Sequence, residues 1–100
     1  MEEVKQHGIA IELSAEVAQG HYSNLAIISH STTEFVIDFA AILPGMPKAN
    51  VASRIILTPE HAKRLLLSLQ ENVARYEANV ARIELAQPQI PMGFKNHGEA

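Results

Sequence analysis

Cysteine is absent from the 100 residues of this chain, and aromatic residues are few. Without cysteine the chain has no disulfide, no thiol nucleophile and no cysteine-ligated metal site, and this composition fits a reducing compartment. Its five aromatic side chains are too few to form a platform on which nucleic-acid bases could stack. These absences exclude several classes of function before any motif is considered.

Positive charge and long apolar runs are also scarce. Eight Lys and Arg stand against eleven Asp and Glu, the formal net charge is −3, and the basic residues are scattered. A nucleic-acid-binding surface needs clustered positive charge, so we expect no nucleic-acid partner. Charged residues and prolines interrupt every apolar stretch far short of the ~20 residues that cross a bilayer, and no signal-peptide pattern follows the initial Met-Glu-Glu. We therefore expect a cytoplasmic protein with no membrane partner.

The apolar periodicity changes once along the chain, near residue 58, from two to about three and a half. Alternating patterns predict strands at about 8–13, 24–30, 34–43 and 51–57. The helical pattern that follows predicts one helix at about 59–84. The expected fold is α+β, with a four-stranded antiparallel β-meander followed by one long C-terminal α-helix. Residues 8–86 would form a single domain between a flexible N-terminus at 1–7 and a mobile tail at 87–100.

The start of the helix carries the clearest local signals. Thr58 suits the N-cap, Pro59 suits the first helical position, and Glu60 places a negative charge at the positive end of the helix dipole. Beyond the predicted end of the helix, Pro88 prevents its continuation. The sequence therefore predicts a helix that begins sharply at residue 59.

The apolar face of this helix narrows along its length. The first half has a broad apolar arc that suits coverage of a sheet face, whereas the second half has the three-and-four spacing of a coiled coil. A helix of ~26 residues is about 39 Å long and a seven-residue strand spans about 23 Å, so the distal helix should overhang the sheet. Alternatively, it packs on the far edge of the sheet or on residues 14–22 of its own chain. The helical residues predicted to lie in an interface are Leu66, Val73, Tyr76, Val80 and Ile83.

The predicted strands are apolar on both faces, although one helix can cover only one face. An uncovered apolar face of this size is larger than monomers usually leave in water, which predicts a homodimer or a higher homo-oligomer. The strand residues predicted to lie in this interface are Ile28, Val36 and Ile56. Asp38 and Arg54 lie eight residues on either side of Met46. In a symmetric hairpin they would oppose each other on this second face as a structural ion pair.

No catalytic, cofactor-binding or metal site is predicted from the titratable residues. His30 lies between two serines, but neighbours on a strand point to opposite faces and cannot form a nucleophile–base pair. His21, His30 and His61 lack the local spacing of paired metal ligands. Asp38 interrupts an apolar strand as a buried catalytic acid would, but Arg54 makes a structural ion pair the favoured interpretation.

Two long strings carry a resemblance to a known family. They are YSNLAIISHSTTEFVIDF at 22–39 and PGMPKANVASRIILTPEHAKRLLLSLQENVARYE at 44–77. Over about residues 8–84 the chain resembles a family of small bacterial and archaeal proteins known only as a domain of unknown function. The resemblance implies a single-domain protein and carries no activity, cofactor or site residue.

The predicted order of elements has a second, architectural resemblance. Four antiparallel strands followed by a long C-terminal helix resemble the subunit of the bacterial export chaperone SecB. That resemblance implies dimers and tetramers that bind unfolded chains on apolar grooves, and it is a likeness of fold without a shared sequence motif.

The sequence therefore favours a non-enzymatic, oligomeric protein-binding or scaffold module, chaperone-like in its binding of other polypeptides. The alternative is a small enzyme or ligand-binding protein that uses His21, His30 or Asp38 in a cleft at the subunit interface. Converging titratable groups in a pocket would favour the alternative, and a dry, closely packed interface would favour the module. The sequence patterns do not identify a protein partner or a ligand.

Overall fold

A computed structural model describes the backbone of residues 2–6 and all atoms of residues 8–86. The elements in chain order are β1 (Glu2–Gln6), β2 (Ile9–Leu13), α1 (Ala15–Ala18), β3 (Leu25–His30), β4 (Phe35–Ala41), β5 (Asn50–Leu57) and α2 (Pro59–Asn79). The predicted α+β class, an antiparallel sheet with a long C-terminal helix, is confirmed. The tail predicted at 87–100 lies outside the described residues.

The strands form two sheets rather than the single four-stranded meander expected. β3, β4 and β5 form a three-stranded antiparallel meander, and β1 and β2 form a separate antiparallel hairpin. The predicted strand count was therefore wrong, because the first predicted strand pairs with a segment that was expected to be a flexible N-terminus. Gln6 pairs with Ile9, and Gly8 has a φ of 80°, a backbone conformation that glycine adopts without strain in tight turns.

Side chains just before β3 fasten its start to the end of β4. The Asn24 side chain donates from Nδ2 to the Ile42 carbonyl oxygen (3.0 Å) and accepts from the Ile42 N–H at Oδ1 (2.7 Å). The Ser23 hydroxyl lies 2.9 Å from the carbonyl oxygen of Ala40, which also accepts from the Asn24 N–H. The Asn24 amide thus continues the strand pairing one step beyond β3, which fixes the register of the meander.

Helix α2 begins as its sequence predicts. The Thr58 hydroxyl oxygen accepts a hydrogen bond from the His61 N–H at 3.2 Å, and Pro59 occupies the first turn. Arg64 and Glu60 form an i,i+4 ion pair at 2.9 Å on the exposed surface. The cap and the fixed φ of proline together determine where this helix begins.

The end of α2 differs from the prediction, since the helix stops at Asn79 rather than at residue 84. Val80 is the C-cap residue, and its N–H donates to the Tyr76 carbonyl oxygen at 2.7 Å. The Ile83 N–H donates to the Glu77 carboxylate at 3.0 Å instead of to a backbone carbonyl one turn earlier. The Glu77 side chain thus satisfies the Ile83 N–H, which would bond to a backbone carbonyl if the helix continued. The apolar spacing of the sequence continues beyond the end of the helix.

Very little of the described part of the chain, residues 8–86, is buried. Among residues 8–86 only Ile37 and Ala40 are buried, and both lie on the central strand β4. Helix α2 approaches the sheet next to β5, and Ala62 is the one residue along it that is half-buried. The expectation that the first half of the helix covers a sheet face was wrong, because Leu65 and Leu67 remain about half exposed.

Candidate interaction surface

Helix α2 carries an apolar stripe that the rest of the described chain leaves exposed. Its side chains recur at spacings of three and four, so they lie along one face of the helix. We call Leu66, Leu69, Val73 and Tyr76 the α2 stripe. Their exposed fractions run from 37% at Val73 to 57% at Leu69. Large apolar side chains aligned in this way are a surface suited to association.

A shallow groove of about 310 Å³ follows the α2 stripe. It is lined by Leu66, Leu69, Gln70, Val73, Ala74 and Glu77. Ala74 has a small side chain, so the surface is concave beside its bulkier neighbours. Such a depression along a helix can receive a side chain from a second helix, as in knobs-into-holes packing.

The two distal residues of the predicted interface lie at the helix end and beyond it. Val80 is the C-cap residue and is 67% exposed, and Ile83 follows in a segment without regular structure. The helix of 21 residues is about 32 Å long, against about 26 Å for the eight residues of β5. The overhang is therefore shorter than expected, and the role of Val80 and Ile83 in an interface stays a prediction.

Three strand residues, Ile28, Val36 and Ile56, were predicted to lie in one interface. The pairing of the strands places them on two different faces of the sheet. Val36 pairs with Ile56, which places both on the face that also carries Asp38. Ile28 pairs with Ile37, so it lies on the opposite face. The prediction that Ile28 shares a face with the other two was wrong, because a four-residue loop at 31–34 sets a register one step away from the one assumed.

Asp38 and Arg54 are directly opposed in the register and form a two-pronged ion pair. Arg54 donates from Nε to Asp38 Oδ1 at 2.6 Å and from Nη2 to Oδ2 at 2.9 Å. The Asp38 side chain is 15% exposed and that of Arg54 is 62% exposed. The hydrogen bond from Arg54 and its positive charge lower the pKa of Asp38. Asp38 is therefore held as a carboxylate, which is the state of a structural partner and not of a general acid.

The three described histidines lie on different segments of the chain. The His30 ring stacks on the Phe35 ring with centroids 5.2 Å apart, whereas His21 lies exposed before β3 and His61 lies in the first turn of α2. Within the part of the chain that the structure describes, no three His, Asp or Glu side chains are grouped to hold a metal ion. His21, His30 and His61, which were weighed as metal ligands, thus form no such group.

Strand β5 offers a second exposed apolar surface, of which only Ile56 was predicted from the sequence. Among the described residues it pairs with β4 alone, so its outer edge has unpaired backbone groups. Val51, Ile55 and Ile56 on this strand are all exposed. The order of the strands is the signal that identifies this edge, since the last strand of a meander has only one sequential neighbour.

Neither described α-helix is both long enough and apolar enough to serve as a transmembrane span. This finding concerns helices α1 and α2.

Comparison with known proteins identifies a family without an assigned activity. No curated protein and no solved structure matches the chain, and the likeness to the export chaperone subunit is not supported. The sequence profile of the family described as "Protein of unknown function (DUF3467)" matches residues 1–85. That match spans both sheets and helix α2. The chain belongs to this family.

Proposed function

We propose that the protein is a non-enzymatic, homo-oligomeric module that binds another polypeptide. The observation that carries the proposal is the burial pattern, in which residues 8–86 bury only Ile37 and Ala40 and expose eighteen large apolar side chains. Fully burying one such side chain is worth about 1.5–3 kcal/mol. A core this small does not offset the conformational entropy of ordering the chain, so association supplies the missing burial.

The α2 stripe is the surface proposed for self-association. It is narrow, apolar and grooved, which is typical of a helix that contacts another helix. A second copy of the chain presents the same stripe, so the surface is matched to itself in chemistry. The predicted homodimer or higher homo-oligomer therefore has its contact on α2.

The outer edge of β5 is the surface proposed for the partner polypeptide. An exposed edge strand offers a row of backbone donors and acceptors to an extended chain, which binds by adding a strand to the sheet. The apolar side chains of β5 would then contact alternate side chains of the bound segment. The partner is therefore an extended, apolar polypeptide segment, with no preference for nucleic acid or membrane.

The alternative function, catalysis or ligand binding in a cleft between subunits, gains no support from the described residues. His30 and Asp38 lie on opposite faces of the sheet, because His30 pairs with Phe35 and Asp38 pairs with Ile27. His21 precedes β3, whereas His30 ends it, and six residues of strand span about 20 Å. One chain thus does not assemble these groups into a single site.

We place the module in the cytoplasm. The support is compositional, since the chain lacks cysteine and its proposed stability comes from association rather than from disulfides.

Binding of a permanently unfolded chain tests the proposed function. The probe is reduced, carboxymethylated α-lactalbumin, which is unfolded. Native α-lactalbumin is the control, because it has the same sequence but is folded. We expect the wild-type protein to bind the unfolded probe and not the native control in a fluorescence polarisation assay.

Two matched variants locate the binding surface. Ile56 on β5 is 57% exposed and Leu67 on α2, outside the α2 stripe, is 55% exposed, so a lysine at either position costs the fold little. Ile56→Lys should abolish binding of the unfolded probe, and Leu67→Lys should leave it unchanged. If the wild-type protein does not bind the unfolded probe, or if Ile56→Lys binds it as wild type does, the proposal is wrong.

A further inference from the structure

We propose that two copies pair through α2 in antiparallel orientation, with Lys63 of each copy in an ion pair with Glu77 of the partner subunit. This inference rests on the proposed self-association and goes further by giving its orientation and register. The two-fold axis would lie beside residues 70 and 71, near the middle of the helix.

The α2 stripe has the positions of a heptad repeat. Leu66 and Val73 are seven residues apart and occupy one position, and Leu69 and Tyr76 occupy the other core position. Ala62, the one half-buried residue of α2, falls in the same series before Leu66. The repeat thus covers most of the helix, and it gives a second helix defined layers to meet.

The apolar layers determine a register for an antiparallel pair. In that arrangement Leu66 would face Tyr76 of the partner subunit, and Leu69 would face Val73 of the partner subunit. Both pairs are centred on residue 71, so one two-fold axis satisfies all four layers of the α2 stripe. Each layer would combine two large apolar side chains that are exposed in the single chain.

The charges beside the stripe give the same register independently. Lys63, Gln70 and Glu77 are spaced by seven residues and follow one edge of the stripe. Lys63 and Glu77 are symmetric about Gln70, whereas the apolar pairs are symmetric about residue 71. These two midpoints differ by one residue, or about 1.5 Å along the helix. A two-fold axis at this position would bring Lys63 of each copy close to Glu77 of the partner subunit, which gives two equivalent ion pairs.

A parallel pair would not use these charges. A parallel two-fold axis brings the edge with Lys63 and Glu77 against the opposite edge of the stripe. That opposite edge carries Leu65, Asn72 and Asn79, which have no charge. In an antiparallel pair each edge meets the same edge of the other copy, so charge complementarity favours the antiparallel orientation.

Lys63 and Glu77 are also the charges beside the α2 stripe that are left available for a second chain, since Glu71 lies on the outer face of the helix. Arg64 is engaged with Glu60, and Arg75 donates at 3.3 Å to Asn72, which lies on the opposite edge of the stripe. Lys63 forms no hydrogen bond or ion pair with the described residues. Glu77 uses Oε2 to accept the Ile83 N–H, which leaves Oε1 for a lysine of the partner.

A charge-swap experiment tests the pairing. Lys63→Glu and Glu77→Lys should each raise the dissociation constant of self-association about tenfold, because two attractive pairs become repulsive in either variant. An equimolar mixture of the two variants should associate as tightly as wild type, since the glutamate introduced in one chain then meets the lysine introduced in the other. The control Glu71→Lys makes the same charge change on the outer face of the helix and should have no effect.

Cross-linking tests the orientation, and the absence of native cysteine makes each introduced cysteine unique. Residues 63 and 77 lie about 21 Å apart along one helix, beyond the reach of a short bismaleimide. A mixture of Lys63→Cys and Glu77→Cys chains of different tag length should give a mixed covalent dimer. Either variant alone should give none.

The outcomes separate this inference from the proposed function. A wild-type protein that is a monomer at all concentrations overturns both. Self-association with no recovery on mixing the charge variants, or with cross-links between identical cysteines, overturns the antiparallel pairing alone. That second result would mean that another occupant, such as the sheet of a second copy, covers the α2 stripe.

Discussion

At the scale of single residues, the sheet is held in register by polar side chains on otherwise apolar strands. Asn24 pairs with the Ile42 backbone through both its amide oxygen and its amide nitrogen. Asp38 meets Arg54 through two hydrogen bonds across β4 and β5. Each of these contacts can form in only one register, whereas apolar neighbours tolerate a slip. The polar residues therefore specify the sheet more than they stabilise it.

The Asp38–Arg54 pair predicts a particular dependence of stability on pH. Because the pKa of Asp38 is lowered in the folded state, its contribution to the free energy of unfolding is complete above its ordinary value of 3.8. That contribution is lost as the pH falls below 3.8 and through the folded pKa. Thermal melts should therefore show wild type more stable than Asp38→Asn at pH 6, with the difference shrinking below about pH 4.

Arg54→Ala provides the control for this pH effect. Without the guanidinium the pKa of Asp38 should return toward its ordinary value, so the variant should lose less stability on acidification than wild type does. Equal melting temperatures of wild type and Asp38→Asn at pH 6 would remove the structural role of the pair. Asp38 would then become a candidate functional residue again.

At the scale of elements, helix α2 is exceptional because its apolar face contacts almost nothing among residues 8–86. A 21-residue helix keeps such a face exposed only at a cost, because helices in proteins derive most of their stability from packing that face. The N-cap, the proline and the Glu60–Arg64 pair start the helix but do not supply this packing. The stability of α2 therefore depends on what covers the α2 stripe.

Aspartate substitutions along α2 should separate the stripe from the outer face. Val73→Asp places a charge in the centre of the stripe, and burial of that charge between chains should cost on the order of 3 kcal/mol, more than a hundredfold in association. Leu67→Asp makes the same kind of change outside the α2 stripe and should have little effect. Val80→Asp, at the exposed helix end, should have a smaller effect than Val73→Asp.

Sedimentation velocity with circular dichroism would measure these effects. Val73→Asp should sediment more slowly than wild type and lose helical signal on dilution, because folding and association are coupled. A Leu67→Asp variant that dissociates as readily as Val73→Asp would show that the stripe has no special role.

The sequence predicted some of these features well and others poorly, for physical reasons. The start of α2 follows from local chemistry at Thr58 and Pro59, so it could be located to the residue. The opposition of Asp38 and Arg54 follows from hairpin symmetry. The face of the sheet on which Ile28 lies could not be predicted from the sequence. A loop one residue longer shifts the register by one step and moves each side chain of the strand to the opposite face. The end of α2 did not follow either, because no glycine or proline marks it, and the Glu77 carboxylate accepts the Ile83 N–H just beyond it.

The role of the first half of α2 could not be predicted because it depends on packing at a distance. An apolar arc on a helix is the same whether it covers the sheet of its own chain or the surface of another. Only the arrangement of α2 relative to the sheet distinguishes the two, and there Leu65 and Leu67 stay exposed. The β1–β2 hairpin was missed for a different reason, since the charged segment EEVKQ has little of the apolar alternation that predicts a strand.

At the scale of the whole molecule, a large apolar surface is divided among the helix, the sheet edge and the hairpin. Eighteen large apolar side chains are exposed among residues 8–86, and only two residues are buried. Ordinary monomers leave scattered apolar residues in water, but not an aligned stripe on the longest helix together with an apolar edge strand. This surface supports the proposal that the single chain is one part of a larger assembly.

The most direct test of this account is the molar mass of the wild-type protein in solution. Light scattering coupled to size-exclusion chromatography, at micromolar protein concentration, should give at least twice the 11.0 kDa of one chain. A concentration series should show that mass falling only together with the helical signal. A mass of one chain with the helical signal of the folded protein retained would contradict the account, because the chain would then be stable with its apolar stripe in water.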